Sequence, residues 1–498
     1  MVRPASPTAA RLWALVGGLL GLYLLVFVWS AFGRLMRPLE EFVYGESWVL
    51  DGARRVARGE PLYPPADNLP LAQTAYTPAY YVAVGQLQRL FGDGGYTTGR
   101  AVSLAATLAA MLLLAWSVRR LSGRWRLGAL AGGLFLTQNL TVLLWAPLHR
   151  VDPLALAFAL GGLALASAGR PYAAVVPLLL AFLTKQTYLV APIVVCLALW
   201  PDRGRMLRFA ALFAGAAGLT VVVAQVLTCG WFLWHVGLAN SNVLDFLTFA
   251  RLVGTFLQFN GLPVLAAAAL FSLPERPGER LWRLYFLGCL ATLPSIAKIG
   301  ASSNYWLELS AATAVLLSLV AQRLAERPAT AVASPVLVAG ALLIAMPAYQ
   351  AVAVEAAVST RDVLQPPARQ YLSLVGDGGP QVIRIDTSLL PRVAREPGDV
   401  LTDNPGLAVA AGKRIAYEFQ IFQLLEAEGL WSEEPILDAI AARQFGLVVL
   451  MHPLEGSLEG TRWTPAIRKA LREAYVPAGQ QAGFYLYRPG PEEARAPR

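Results

Sequence analysis

Long apolar stretches recur through the chain up to residue 352, at 12–32, 101–118, 127–146, 153–168, 171–183, 189–200, 209–227, 253–273, 284–296, 307–324 and 331–352. Most come close to the ~20 residues that a helix needs to cross a bilayer, and short polar links separate them. A chain with about eleven such stretches is a polytopic helical membrane protein. The composition agrees: 56% of residues are hydrophobic, 15% are charged and the mean hydropathy is +0.50, outside the range of a soluble domain.

Basic residues orient the spans, because short cytoplasmic loops collect Lys and Arg. Arg3 and Arg11, Arg119 to Arg126, Arg170, Arg203 to Arg208, Arg276 to Arg283, and Arg323 with Arg327 fall in alternate links, which places those links inside. Residues 78–92 look apolar but carry Gln86, Gln88 and Arg89 and are too short to span. They are expected to lie along the outer interface, within a first external loop of residues 34–100. Residues 171–200 are expected as two short helices broken at Thr184-Lys185-Gln186-Thr187. The first span reads as a signal anchor, the N-terminus as cytoplasmic and the C-terminus as extracytoplasmic in a multi-pass cell-membrane protein. The net charge of +9 comes mostly from the inward arginines and reports membrane orientation and contact with anionic lipid, not nucleic-acid binding. Cys196 and Cys289 fall within spans and Cys229 stands alone, so no disulfide framework is implied.

Beyond residue 352 the pattern changes to short strand-like runs at 381–386, 415–419, 446–450 and 484–487, alternating with helix-like stretches at 420–428, 434–443 and 465–474. This predicts a small extracytoplasmic α/β domain over residues 357–488, a disordered tail at 489–498, and a membrane domain over 1–356. Asp403-Asn404-Pro405 and Gly412-Lys413-Arg414 read as loops. There is no internal repeat and no Gly-rich phosphate loop.

Polar residues in or beside spans are expensive and point to function. Five clusters stand out, and the predicted topology puts all of them on the outer side: Glu46 with Asp51, the Tyr76–Tyr81 run, His149 to Pro153, residues 184–187, and residues 298–308. Lys185 and Lys298 are the only lysines of the membrane half. A compact ammonium suits a point contact with phosphate, and the alternative is a side chain snorkelling from a helix end. Glu46 lies nearest the membrane exit, where partial burial would bring it toward the range of a general base; otherwise it is a juxtamembrane helix-start charge. Five residues apart, Glu46 and Asp51 would leave one helix on different faces. Asp152, before Pro153, is either a helix cap or a catalytic or metal-binding group. His149 reads as an interfacial side chain. Tyr76, Tyr80 and Tyr81 either join an aromatic belt or stack on a sugar and line a lipid path.

The order of these pieces resembles the glycosyltransferase C superfamily, specifically its protein-mannosyltransferase and aminoarabinose-transferase-like branch (family 39-like). The resemblance rests on Gly45-Glu46-Ser47-Trp48, Gly59 with Leu62-Tyr63, Thr77-Pro78-Ala79-Tyr80-Tyr81, Arg150-Val151-Asp152, Leu183-Thr184-Lys185, and Asn304-Tyr305 with Glu308. It covers most of the membrane half. It implies transfer of a sugar, with inversion, from a polyprenyl-phosphate donor to a lipid, glycan or protein acceptor on the extracytoplasmic face. By resemblance Glu46 is the catalytic base, and Asp152 supports the acceptor or a divalent metal ion. Lys185, Arg150 and Lys298 meet the donor phosphate, and Asp51, Tyr76, Tyr80, Tyr81, Asn304 and Glu308 contact substrate. The family's first acid is missing, since Gly45 stands in its place. No nucleotide cofactor is required. A lipid-linked sugar or polysaccharide transporter is the alternative, although repeated halves are lacking. A non-enzymatic scaffold would leave Glu46, Asp152 and Lys185 unexplained.

Overall fold

The computed structural model describes residues 7–43, 45–137, 140–240, 244–298, 300–347, 349–350, 353, 388–455 and 463–491. It divides into two compact units. The first comprises residues 1–36, 99–222 and 242–374, and the second residues 37–98, 223–241 and 375–498. Residues 37–98, most of the loop expected after the first span, therefore group with the C-terminal region and not with the helices that flank them in sequence.

Unit 1 is helical. Five helices among the described residues are long and apolar enough to cross a membrane: Pro7–Leu35, Tyr96–Ser122, Arg203–Leu227, Phe249–Ser272 and Ser303–Ala325. Four further apolar helices are shorter: Asp152–Ser167, Pro171–Thr184, Val190–Leu199 and Ala333–Ile344. The predicted break within 171–200 is present, with Lys185 ending one helix in an extended conformation. The run at 127–146 carries helices Trp125–Thr137 and Leu140–Trp145, and that at 284–296 is interrupted, leaving α-helical form after Ala291 for a tighter turn over Leu293–Ala297. Pro294 lies at the start of that turn, where a proline cannot supply the amide an α-helix would need.

Helix Leu307–Ala325 is the hub of unit 1, buried along nearly its whole length. Around it pack Trp125–Thr137, Phe246–Ala268, Glu279–Ala291 and Ala333–Ile344. Its Ala and Ser residues explain the close approach, since small side chains let backbones near one another where lipid gives no hydrophobic drive. Asp152–Ser167 lies along Pro171–Thr184 by the same device, with Gly162 against the Leu178 side chain. The arginines read as inward charges are partly paired. Glu279 accepts from Arg283 at 2.8 Å and Arg323 at 2.6 Å, and Arg276 meets Glu326 at 2.6 Å.

Unit 2 contains a four-stranded sheet of β1 (Asp399–Thr402), β2 (Phe445–Leu450), β3 (Tyr475–Gln481) and β4 (Phe484–Pro489), in the order β1-β2-β4-β3. β1 and β2 are parallel, and the other pairs are antiparallel. Helices Phe419–Ala427, Glu434–Ala441 and Pro465–Ala474 fall where the sequence predicts them, and Ile436, Ile440, Phe422, Ile467 and Leu471 join the sheet's core. The strand expected at 415–419 is not part of the sheet. Tyr417 instead forms an isolated parallel bridge with Leu71 of the first loop, whose N–H donates to the Ala416 carbonyl at 2.9 Å. The strand expected at 381–386 and most of the expected tail lie outside the described residues.

The first loop holds its own helix pair, Glu46–Arg58 and Ala79–Phe91. Gly52 faces the Tyr81 ring, and Gly85 faces the Ala53 carbonyl and Val56, so a side chain at either glycine would push the helices apart. Buried Glu418 accepts a hydrogen bond from the Gln73 N–H at 3.0 Å. Burial outweighs that bond and the nearby Arg55, and raises the carboxyl to about 8. Between the ordinary carboxyl value of 4.5 and about 8, the folded protein keeps a proton that the unfolded chain gives up. Stability at this site is therefore full at low pH and falls as pH rises through that window. Thermal unfolding of Glu418→Gln should lose this part of the decline, leaving the variant relatively more stable than wild type above pH 8; an unchanged pH slope would refute the assignment.

Candidate active site

Each unit carries a constellation of buried polar groups at positions the sequence singles out. In unit 1 it is built around Asp152, the first residue of helix Asp152–Ser167. Its side chain does not cap that helix, because Val151 occupies the cap position. Instead Oδ1 accepts from Lys185 Nζ at 2.6 Å and from Asn304 Nδ2 at 2.8 Å. Three segments thus converge: a helix start, the break at 184–187, and the turn Ser303–Trp306. The break is what makes Lys185 available, since a continuous helix through 171–200 would carry its backbone past this point.

Asp152 and Lys185 are almost wholly buried. The ammonium also lies 4.9 Å from the Tyr305 ring, a cation–π distance, and the Tyr188 hydroxyl donates to the Asp152 carbonyl at 3.2 Å. Arg150 Nε stands 3.9 Å from Asp152 Oδ2, while its guanidinium covers the Trp145 ring at 5.3 Å. Oδ2 is buried without a hydrogen-bond partner among the described residues. Lys298 follows the turn Leu293–Ala297, where burial and repulsion from Lys185 lower the affinity of its ammonium for a proton. Glu308 accepts from the Tyr285 hydroxyl at 3.0 Å. His149 is fully buried with its ring against Gly99, so it is a packing residue of the interior and not an interfacial one.

In unit 2 the second constellation is the turn before helix Glu46–Arg58. Glu46 is fully buried, and its Oε2 accepts from the Phe42 N–H at 2.9 Å. Glu41 crosses in the opposite sense: its Oε1 accepts from Gly45 N–H at 3.0 Å, Ser47 N–H at 3.0 Å and Ser47 Oγ at 2.9 Å. Gly45 takes a left-handed conformation with φ of 100°, which closes this reciprocal clasp at little cost for glycine. Desolvation raises Glu41 to about 7, with the neighbouring Glu46 charge adding to the rise. The adjacent position, Gly45, carries no acid to partner Glu46. The turn brings one from five residues upstream.

Asp51 leaves the same helix in another direction, as the spacing predicts. It stands 3.2 Å from Arg55 Nε and accepts from the Ile415 N–H at 3.3 Å. Tyr80 and Tyr81 are buried in the helix pair, and Tyr76 is half-buried, its carbonyl accepting from the Tyr63 hydroxyl at 3.0 Å. His235, unremarked in the sequence, accepts from the Thr74 N–H at 3.1 Å through Nδ1 and meets the Pro64 carbonyl through Nε2 at 2.7 Å. Burial lowers it to about 4, so it is a neutral brace for the first loop.

Among the described residues no group of three or more His, Cys, Asp or Glu side chains could hold a metal ion. Asp152 Oδ2 offers one oxygen, whereas a hard divalent ion takes six or more ligands.

No protein-family model matches the chain, and no curated protein matches its sequence. Solved structures do match its fold. ArnT from Cupriavidus metallidurans bound to undecaprenyl phosphate aligns over 97% of this chain and 99% of its own, with a TM-score of 0.61 and 14% identity. Its apo form aligns over 98% and 100%, with a TM-score of 0.59 and 14% identity. The archaeal oligosaccharyltransferase AglB from Archaeoglobus fulgidus, in complex with an inhibitory peptide and a dolichol-phosphate, aligns over 93% of this chain and 74% of its own, with a TM-score of 0.51 and 14% identity. The chain thus shares the fold of these solved structures, a polytopic helical membrane architecture with a small C-terminal sheet. The fold that the sequence resemblance implied is the one observed.

Removing Lys185 alone would strand a buried carboxylate. Lys185→Met should cost about 3–5 kcal/mol of stability, and adding Asp152→Asn should restore most of it. Thermal unfolding of the single and double variants in detergent measures this, and equal midpoints for both would show that the pair does not couple.

Proposed function

We propose that this protein is a membrane glycosyltransferase that moves a sugar from a polyprenyl-phosphate donor to an acceptor hydroxyl on the extracytoplasmic face, with inversion at the sugar carbon. The observation that carries the reading is the Lys185–Asp152–Asn304 constellation, within a fold aligned along nearly its whole length with ArnT bound to undecaprenyl phosphate. An ammonium at a helix break beside a second lysine and an arginine suits a phosphate whose charge grows as it departs.

The chemistry assigned to each residue follows from its type and surroundings. Glu46 takes the proton of the acceptor hydroxyl. The oxygen so freed attacks the anomeric carbon on the face opposite the phosphate. As the new C–O bond forms, the bond from the anomeric carbon to the phosphate oxygen breaks, and polyprenyl phosphate leaves with both electrons. Lys185, with Arg150 and Lys298, offsets that charge. Asp152 holds Lys185 until the donor phosphate competes for it, and Asn304 keeps Asp152 oriented. Glu308, Asp51 and the tyrosines Tyr76, Tyr80 and Tyr81 are assigned to the substrate's surroundings. The N-terminus is assigned to the cytoplasm and the C-terminal domain to the outside, from the arginine distribution.

Glu46→Gln keeps the acceptor oxygen that meets Phe42 N–H but loses the base. Release of polyprenyl phosphate from a panel of radiolabelled polyprenyl-phosphate sugars, with membrane extract as the acceptor source, should fall by about 10²–10⁴-fold in this variant. Donor binding should be retained. Full activity in Glu46→Gln would remove it from the mechanism, and absence of turnover by wild type with every donor in the panel would count against the transferase.

A further inference from the structure

In unit 2 a cleft of about 430 Å³ opens between helix Leu390–Arg395 and the β3–β4 hairpin. Its lining includes Ser388, Arg392, Arg395, Glu396, Gln481 and Arg488. Three guanidinium groups thus surround a space with one carboxylate. That carboxylate is already committed: Glu396 is 8% exposed, lies folded against Gly446, and meets Arg488 Nη2 at 3.3 Å. Lys413 donates to its backbone carbonyl.

The other two arginines have no counter-charge among the described residues. Among the described residues Arg392 donates to the Gln481 Oε1 and the Ala478 carbonyl, each at 3.5 Å, the outer limit of a hydrogen bond. Arg395 is exposed and forms no ion pair among the described residues. Three residues apart on a helix, the two side chains leave from neighbouring positions on one face. Gln481 fixes the opposite wall by donating from Nε2 to the Ser388 carbonyl at 3.0 Å. Planar guanidinium forks with no carboxylate of their own match an oxyanion in geometry and charge. The volume exceeds a bare ion and falls within the range of small-molecule sites, which run to about 300–1,000 Å³.

We propose that this cleft is a binding site for an oxyanion-bearing sugar, with Arg392 and Arg395 gripping a phosphate ester or a carboxylate while Gln481 and Ser388 border the sugar. It differs in place and chemistry from the Lys185 constellation, which belongs to unit 1, and it stands whether or not the chain transfers sugars.

The test is a binding titration of the full-length protein in detergent with galactose 1-phosphate, galacturonate and galactose. Wild type should bind one or both anions and not galactose. Which anion binds tells phosphate from carboxylate, and either supports the site. Arg392→Gln/Arg395→Gln should weaken that binding about tenfold or more, since each lost charge-assisted contact is a sizeable fraction of a weak affinity. Arg395→Gln alone, at an exposed position, should weaken it in the same direction and guards against misfolding of the double variant. Lys185→Met/Asp152→Asn should leave it intact. Equal binding of galactose, absence of anion binding in wild type, or unchanged binding in the arginine variants would overturn the proposal. Loss only in the Lys185 variant would move the anion site to unit 1, overturning the cleft while supporting the phosphate role of Lys185.

Discussion

An ammonium and a carboxylate 2.6 Å apart among apolar helices set the terms for unit 1. Neither charge tolerates that interior alone, so each fixes the other, and together they fix the backbone that carries them. Lys185 can reach Asp152 only because the apolar run through 171–200 is interrupted. Asn304 can join them only because Ser303–Trp306 turns before the central helix begins. A helix start, a helix break and a turn are thus tied to one carboxylate. Its second oxygen, buried and without a hydrogen-bond partner among the described residues, leaves the cluster incompletely satisfied. Natural proteins tolerate that condition mainly where a ligand or a reaction completes it.

Unit 2 handles its acids differently. Glu41, Glu46, Asp51 and Glu418 are all buried, yet backbone N–H groups are their recurring partners: Gly45 and Ser47, Phe42, Ile415, and Gln73. A carboxylate bound to backbone amides organises a loop without needing a second side chain, and this is how the first loop stays ordered without a regular sheet of its own. The Asp51–Ile415 and Glu418–Gln73 bonds join residues more than three hundred positions apart in sequence. They explain why residues 37–98 belong to the same compact unit as the C-terminal sheet.

Much of the helical class was legible because apolar length and arginine placement are strong local signals. The break at 184–187 was legible for the same reason, since Lys and Gln inside an apolar run are hard to place otherwise. Three helices of the C-terminal region, Phe419–Ala427, Glu434–Ala441 and Pro465–Ala474, could be read from the sequence, whereas the short Leu390–Arg395 and Pro405–Ala410 could not. β3 could not, because it contains Pro477 and Gly479 and forms an edge strand with an irregular register, where those residues are allowed but look like a loop. Residues 415–419 misled in the opposite way: their Ile, Tyr and Phe have strand character, but their partner is Leu71, a contact no local pattern reveals. The pairing of Lys185 with Asp152 was equally hidden. Each residue was singled out by its cost in an apolar setting, and only the fold shows that they answer one another.

The division of labour between the two cations follows from these placements. Arginine appears where a fixed fork must satisfy carboxylates or carbonyls that stay in place, as around Glu279, where Arg283 and Arg323 approach the two oxygens separately. Such a cluster is closed, with no lone acceptor left over for a substrate. Lysine appears at 185, where a single point charge on a flexible stem rests on a carboxylate already shared with Asn304 and beside an aromatic face. An ammonium held that way can exchange one anion for another without rebuilding a planar network. A buried arginine fork would resist such an exchange, whereas a lysine can follow a charge that moves.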